Sequence, residues 1–118
     1  MSAKYNLVCE QATTFNFQFV VQDDSNGIVT PWDLTNYSAT MTERPFVGAT
    51  TTTLVASTAN NRITLGGNTG RITVTVDATT TGDITPGRYS YDMILTIGTT
   101  VTRILEGRFI VTGAVTNP

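Results

Sequence analysis

The chain has 118 residues, a formal net charge of -2, one cysteine and no histidine. That length supports one core and not two, and the charge balance provides no basic stripe to follow a phosphate backbone, so nucleic acid is not an expected partner. Without histidine the commonest general base and the commonest neutral metal ligand are both missing, and neither a metal nor another cofactor is expected.

No apolar run approaches a membrane span, and the N-terminus lacks a charged segment followed by an apolar core. The sequence therefore reads as made and folded in a cytosol, without a membrane partner. Cys9 excludes an internal disulfide and sits in an apolar run, so a buried, inert thiol is expected. Threonine occurs 25 times. It is β-branched and half-polar, which suits the outward face of strands and favours an all-β fold.

Residues 1–4 read as an arm, and Tyr5 to Glu10 as a short first strand or a segment that pairs with a neighbouring subunit. From Thr13 to Gln22, Phe15, Phe17, Phe19 and Val21 alternate with Thr14, Asn16, Gln18 and Val20, the period-2 signature of a half-buried strand. Asp23-Asp24-Ser25-Asn26-Gly27 follows, and Asn-Gly between apolar runs marks a tight hairpin turn. Its acidic residues lack the spacing of calcium loops and read as a solvated turn. Ile28 to Leu34 is interrupted by Pro31 and reads as an edge strand or corner, with Trp32 across the end of the core.

Tyr37 to Arg44 alternates again, with Tyr37, Ala39 and Met41 on one face, until Pro45 stops it. Thr50 to Ala56 and Arg62 to Leu65 read as further strands, and Gly66 to Gly70 as a loop. Arg71 to Asp77 has clean alternation, with Ile72, Val74 and Val76 inward. A single helical turn capped by Asp77 is expected next, with Ile84 plugging the core. Gly87 to Leu95 and Val101 to Val111 then form a hairpin, and residues 112–118 a tail. About seven to nine short strands with regular turn signals predict a single domain built as an immunoglobulin-like antiparallel β-sandwich.

Asp77, Gly87, Tyr89 and Tyr91 resemble the tyrosine corner of such sandwiches, Tyr89 bonding back across the loop and Tyr91 facing the core. Two hairpin registers compete. Pairing Met93 with Leu105 sets Asp92 against Glu106, like charges that repel across a ladder. A two-residue slip to Asp92 opposite Arg108 removes that clash, and is the register expected.

No constellation of catalytic residues stands out, since the hydroxyl nucleophiles have no base and no carboxylate pair is evident. The Gly66 to Gly70 loop lacks the lysine and helix of a phosphate cradle. Asn36-Tyr37-Ser38 matches a glycosylation sequon by chance in a chain read as cytosolic. Trp32 and Phe46 are candidate contact aromatics, and Arg103 and Arg108 candidate rim residues between subunits.

The segment Pro31-Trp32-Asp33-Leu34-Thr35-Asn36-Tyr37-Ser38-Ala39 resembles a pattern in small structural proteins of tailed-bacteriophage virions. The pattern continues through Arg44-Pro45, Ile63-Thr64-Leu65, Gly87 to Ile94, and Arg103-Ile104-Leu105-Glu106-Gly107 with Val111. Asn36 stands where the pattern has glycine, and Ile104 where it has leucine. The chain also resembles the N-terminal β-sandwich domain of phage baseplate upper proteins. The resemblance implies a non-enzymatic virion protein, present in many copies as a connector or adaptor at the tail, baseplate or neck, partnered by other virion proteins and by its own copies. The alternatives are a capsid decoration protein and a carbohydrate-binding module gripping host glycans through Trp32, Tyr37 or Phe46, with an enzyme a distant third.

Overall fold

Alternation of apolar and polar residues builds most of this chain into strands. The computed structural model describes residues 3–25 and 27–115. In chain order these are β1 (Ala3–Lys4), β2 (Leu7–Glu10), β3 (Phe15–Val20), β4 (Gln22–Ser25), β5 (Ile28–Pro31), β6 (Ser38–Arg44), β7 (Leu54–Ser57), β8 (Ile63–Leu65), β9 (Arg71–Val76), α1 (Ala78–Gly82), β10 (Gly87–Ile97) and β11 (Thr100–Thr112). A 3-10 turn, Gly67–Thr69, separates β8 from β9.

The larger sheet runs β1-β11-β10-β6-β7, with β2 also on β11, and the smaller runs β3-β9-β8. Hairpins join neighbours within a sheet (β6 to β7, β8 to β9, β10 to β11), β4 and β5 pair only with each other, and the links β2 to β3, β7 to β8 and β9 to β10 cross between the larger and smaller sheets, which is the immunoglobulin-like arrangement. The expected all-β sandwich is therefore present. Its larger sheet is mixed, because β1 and β2 run parallel to β11. The strand segments among the described residues exceed the expected number because part of the expected arm pairs as β1 and the 13–22 strand is succeeded by a separate strand, β4.

Both sheets contribute to one core. Leu7, Cys9, Met41, Met93, Leu95, Phe109 and Val111 come from the larger sheet, and Phe15, Ile63, Ile72, Val74 and Val76 from the smaller. Each large aliphatic or aromatic side chain so buried stabilises the fold by about 1.5–3 kcal/mol relative to exposure. Phe15 and Phe109 meet edge to face across the sheets with centroids 5.3 Å apart, a geometry that favours aromatic pairs. Ile84 plugs the core as expected.

The single turn of α1 forms where expected, but Asp77 caps it differently from the usual side-chain bond to a backbone amide. No such bond exists; the Asp77 carboxylate accepts from the Thr80 hydroxyl. The buried hydroxyl of Thr81 bonds the carbonyl of Thr13 at 2.7 Å and so ties the turn to the entry of β3.

Three boundaries differ from expectation. The 13–22 strand breaks at Val21, whose N–H bonds Gly70 (2.8 Å) and whose carbonyl accepts from Trp32 (2.9 Å), so the chain leaves β9 for the β4–β5 hairpin. The strand expected from Thr50 begins only at Leu54. Part of the expected arm is ordered as β1 on β11. In the tail, Ala114 N–H donates to Gln11 Oε1 at 3.1 Å. Residues 1–2 of the arm, Asn26 of the hairpin turn and residues 116–118 of the tail lie outside the described residues.

The expected slip in the β10–β11 register does not occur. Asp92 pairs with Glu106 and Met93 with Leu105, and the ladder then jumps so that Ile94 pairs with Arg103. Ile104 is thus an extra residue, a β-bulge. In a plain ladder Arg103 would share the inward face with Leu95. The bulge turns it outward, where its Nε lies 3.0 Å from Asp92 Oδ2 and offsets the acidic pair. The same register sets Gly107 opposite Tyr91. There a side chain is impossible, since a Cβ on Gly107 would lie 2.2 Å from the Tyr5 carbonyl oxygen.

The tyrosine corner has two bonds of different standing. Tyr89 Oη donates to the Thr85 carbonyl at the surface. Tyr91, only 4% exposed, donates to the Tyr5 carbonyl at 2.6 Å and binds the N-terminal segment to the centre of the sheet. Gly87 opens β10 opposite Val111.

Two expectations follow for stability. Gly107→Ala should lower it by about 2 kcal/mol or more through overpacking against the Tyr5 peptide, measurable by urea denaturation. Tyr91→Phe should cost about 1–2 kcal/mol because it leaves a shielded carbonyl without its donor, whereas Tyr89→Phe, at a wet site, should cost about half as much or less. Equal losses in the two variants would show that the inner bond has no special weight.

Candidate functional site

One group of exposed residues lies on the outer face of the larger sheet and the loop beside it. Alternation along β10 and β11, with the bulge at Ile104, places Asp92, Arg103, Glu106 and Arg108 on that face. The Arg103–Asp92 pair is well exposed, and such pairs contribute at most about 1 kcal/mol. Its effect is to orient two charges, not to hold the sheet together.

Between β6 and β7 the chain makes a turn whose apolar tip is outside. Phe46 is 63% and Val47 87% exposed, while Ala49 is buried. The turn is built: Arg44 Nη1 donates to the Ala49 carbonyl at 3.0 Å, Ala49 N–H to Phe46 at 3.1 Å, and Thr53 N–H to Glu43 at 2.7 Å. Val47 stands between two shallow grooves. One is lined by Thr42, Arg44, Phe46 and Ser90, the other by Lys4, Asp92, Arg103, Glu106 and Gly107. An exposed apolar knob thus sits beside two oriented charges.

Of the four candidate contact residues, the structure brings Arg103 next to the Phe46–Val47 turn. Arg108, exposed on the same face opposite Ser90, lines neither groove. Trp32 lies elsewhere: it is half-buried against the core and lines a separate groove with Thr30, Pro31, Asp33 and Tyr37. The three aromatics suggested for glycan contact therefore do not share one groove.

The turn entering β6 explains why its residue types recur as a unit. Asp33 Oδ1 accepts from both the backbone N–H (3.0 Å) and hydroxyl (2.5 Å) of Thr35, bonds that hold its carboxyl below the usual range. Leu34 inserts into the core at 1% exposure. Asn36 takes a left-handed backbone with φ of 69°, a conformation that only glycine and, among side chains, asparagine adopt readily.

One residue with a strong electrostatic signature was passed over in the sequence. Glu43 is 0% exposed, and neither carboxylate oxygen has a hydrogen-bond partner among the described residues. The inward alternation of Ala39 and Met41, continued by one step, points to it. It pairs across the ladder with Tyr91 and Leu54. Burial pushes its pKa from 4.5 up to about 8. Burial also raises Tyr91 to about 12 and Cys9 to about 11, and the Glu43 charge adds to both. Cys9, buried and at that pKa, is a poor nucleophile at neutral pH.

No cluster of three or more Cys, Asp or Glu side chains suited to hold a metal occurs among the described residues. No known protein-family model and no curated protein matches this chain.

A carboxyl whose folded pKa lies above its unfolded value binds more protons when folded, so stability must fall as pH rises through the interval between them. For Glu43 that interval runs from about 4.5 to about 8. Glu43→Gln, neutral at every pH, should match the wild type near the acidic end and exceed it at the basic end. Melting temperatures of both proteins across that interval check this; parallel curves would show that Glu43 does not titrate within it.

Proposed function

We propose that this chain is a non-enzymatic structural protein of a tailed-phage virion, acting in many copies as a connector or adaptor at the tail, baseplate or neck. What supports the reading is where the residues of the resemblance lie. Trp32 to Ala39 form the turn entering β6, and its one departure, asparagine for glycine, falls on a left-handed residue that asparagine tolerates. Arg44 holds the exposed turn after β6. Ile63 to Leu65 are β8, and Arg103 to Gly107 contain the bulge and the glycine that admits Tyr5. The pattern thus consists of conformational requirements of a scaffold, with no reactive group among them.

A scaffold acting in many copies works through its outer faces and edges. The Phe46–Val47 knob beside Asp92 and Arg103 is the surface best suited to a neighbouring virion protein. A glycan-binding role has one observation in its favour, the groove shared by Trp32 and Tyr37, but Trp32 presents only part of its ring there.

Mass spectrometry of purified particles should find this chain at a copy number matching a symmetric ring, and in tails separated from heads. Its absence from particles would overturn the reading. Recovery with heads alone would favour decoration, and glycan binding by the isolated domain that is lost in Trp32→Ala would favour the sugar-binding alternative.

A further inference from the structure

Strand β3 ends its sheet, and among the described residues no strand pairs with its outer edge, although the Tyr5 ring stacks on Phe17 with centroids 5.6 Å apart. In sandwiches where the first strand pairs with the second, this edge is covered. Here β1 and β2 both lie on β11 instead, so β3 has β9 on one side only. Because Val21 N–H bonds Gly70 (2.8 Å), and bonding alternates along an antiparallel ladder, the odd-numbered residues of β3 face β9. The backbone N–H and C=O groups of Asn16, Gln18 and Val20 point outward, without partners among the described residues.

The other edges are short or closed. On β7, the Val55 carbonyl takes bonds from Asn60 Nδ2 and Arg62 Nη1, both at 3.0 Å, and Ser57 N–H is bonded by Asn60 Oδ1 at 2.9 Å. β8 has only three residues. The β1–β2 edge is broken in the middle and carries Lys4 and Glu10. β3 has none of the usual protections: no charge, no proline, no bulge. Phe17 and Phe19 stay partly exposed along it.

We propose that β3 pairs antiparallel with the β3 of a second copy, about a two-fold axis at Phe17. The strand is self-complementary in that register. Phe15 meets the partner copy's position 19, a second phenylalanine, and Asn16 meets position 18, an amide against an amide, so core-facing residues stay together and outward ones stay together. The outward backbone groups of Asn16 and Gln18 form the new ladder, and the two smaller sheets become one continuous sheet. The contact is too small for a tight dimer; it suits a weak pairing strengthened by repetition in an array. The inference deepens the multi-copy reading and depends on it only for its setting.

The experiment is sedimentation of the full chain over a concentration series, with two variants. The wild type should show a reversible monomer–dimer equilibrium. Gln18→Pro removes an outward N–H that β9 does not use, which an edge strand tolerates, and should abolish the dimer while the melting temperature of the monomer holds. If that variant misfolds, the double variant Asn16→Lys, Gln18→Lys, which sets like charges opposite one another on exposed positions, should weaken association about tenfold or more. A wild type that stays monomeric throughout, or a dimer unaffected in the folded variant, overturns the proposal. Either result leaves the virion reading untouched, because that is tested by the protein's presence in particles.

Discussion

The carbonyl and amide of Tyr5 are the point on which the architecture turns. Its N–H donates to the Glu106 carbonyl at 2.9 Å and its carbonyl accepts from Tyr91 at 2.6 Å, so the backbone of one residue locks the N-terminal segment to both central strands of the larger sheet. That lock needs Gly107, since any side chain there would occupy the space of the carbonyl. It also needs the β10–β11 register that puts Gly107 opposite Tyr91, and this register places Asp92 against Glu106. The bulge at Ile104 makes the arrangement tolerable by rotating Arg103 outward to Asp92. A steric requirement on the inner face thus sets a charge pattern on the outer one. The acidic clash was real but small, and the cost of a blocked peptide is larger.

Glu43 shows the same inner face under tension. An unpartnered buried carboxyl works against folding unless it takes up a proton, and its neighbours across the ladder, Tyr91 and Leu54, supply no donor. Tyr91 has given its hydroxyl to Tyr5. The bond that fixes the N-terminal segment therefore leaves the Glu43 carboxyl without the donor closest to it in the ladder.

Much of the fold was legible in the residues, for identifiable reasons. Phe15 to Val21, Tyr37 to Arg44 and Arg71 to Val76 declare strands because the side-chain period is two. Gly27 takes a positive φ of 77° that few residues accept, and so marks the turn between β4 and β5. What escaped were features with no local signal. A bulge is one extra residue, and Ile104 looks like any strand isoleucine. The destination of the first strand depends on Tyr91 and Gly107, which lie roughly a hundred residues further along the chain, and so could not be read from Tyr5 to Glu10. Glu43 falls on the inward alternation of Ala39 and Met41, but its charge argues locally for a surface position. Of the candidate contact residues, Arg103 and Phe46 converge on one region only through the bulge and the turn after β6, while Trp32 belongs to another groove.

The placement of the first strand also determines where this chain has unmet hydrogen-bonding capacity. A sandwich has few long edges, and a segment laid along one of them is unavailable for another. By committing β1 and β2 to β11, the Tyr5 lock leaves β3 as the longest uncovered strand, with polar backbone groups at the margin of an apolar core. Water can satisfy those groups, but it cannot cover the apolar rims that Phe19, and Phe17 beyond its stack with Tyr5, leave exposed. A neutral amide and phenylalanine strand does both when it meets its own copy, because the same side chains recur in reverse order about Phe17. Charge at Asn16 or Gln18 would have closed this edge without disturbing the core, as both are exposed. The other margins carry such devices: Asn60 and Arg62 over β7, Lys4 and Glu10 along β1 and β2. The contrast between guarded and unguarded edges within one small molecule is what singles out β3, and not the sheet as a whole, for the proposed self-pairing.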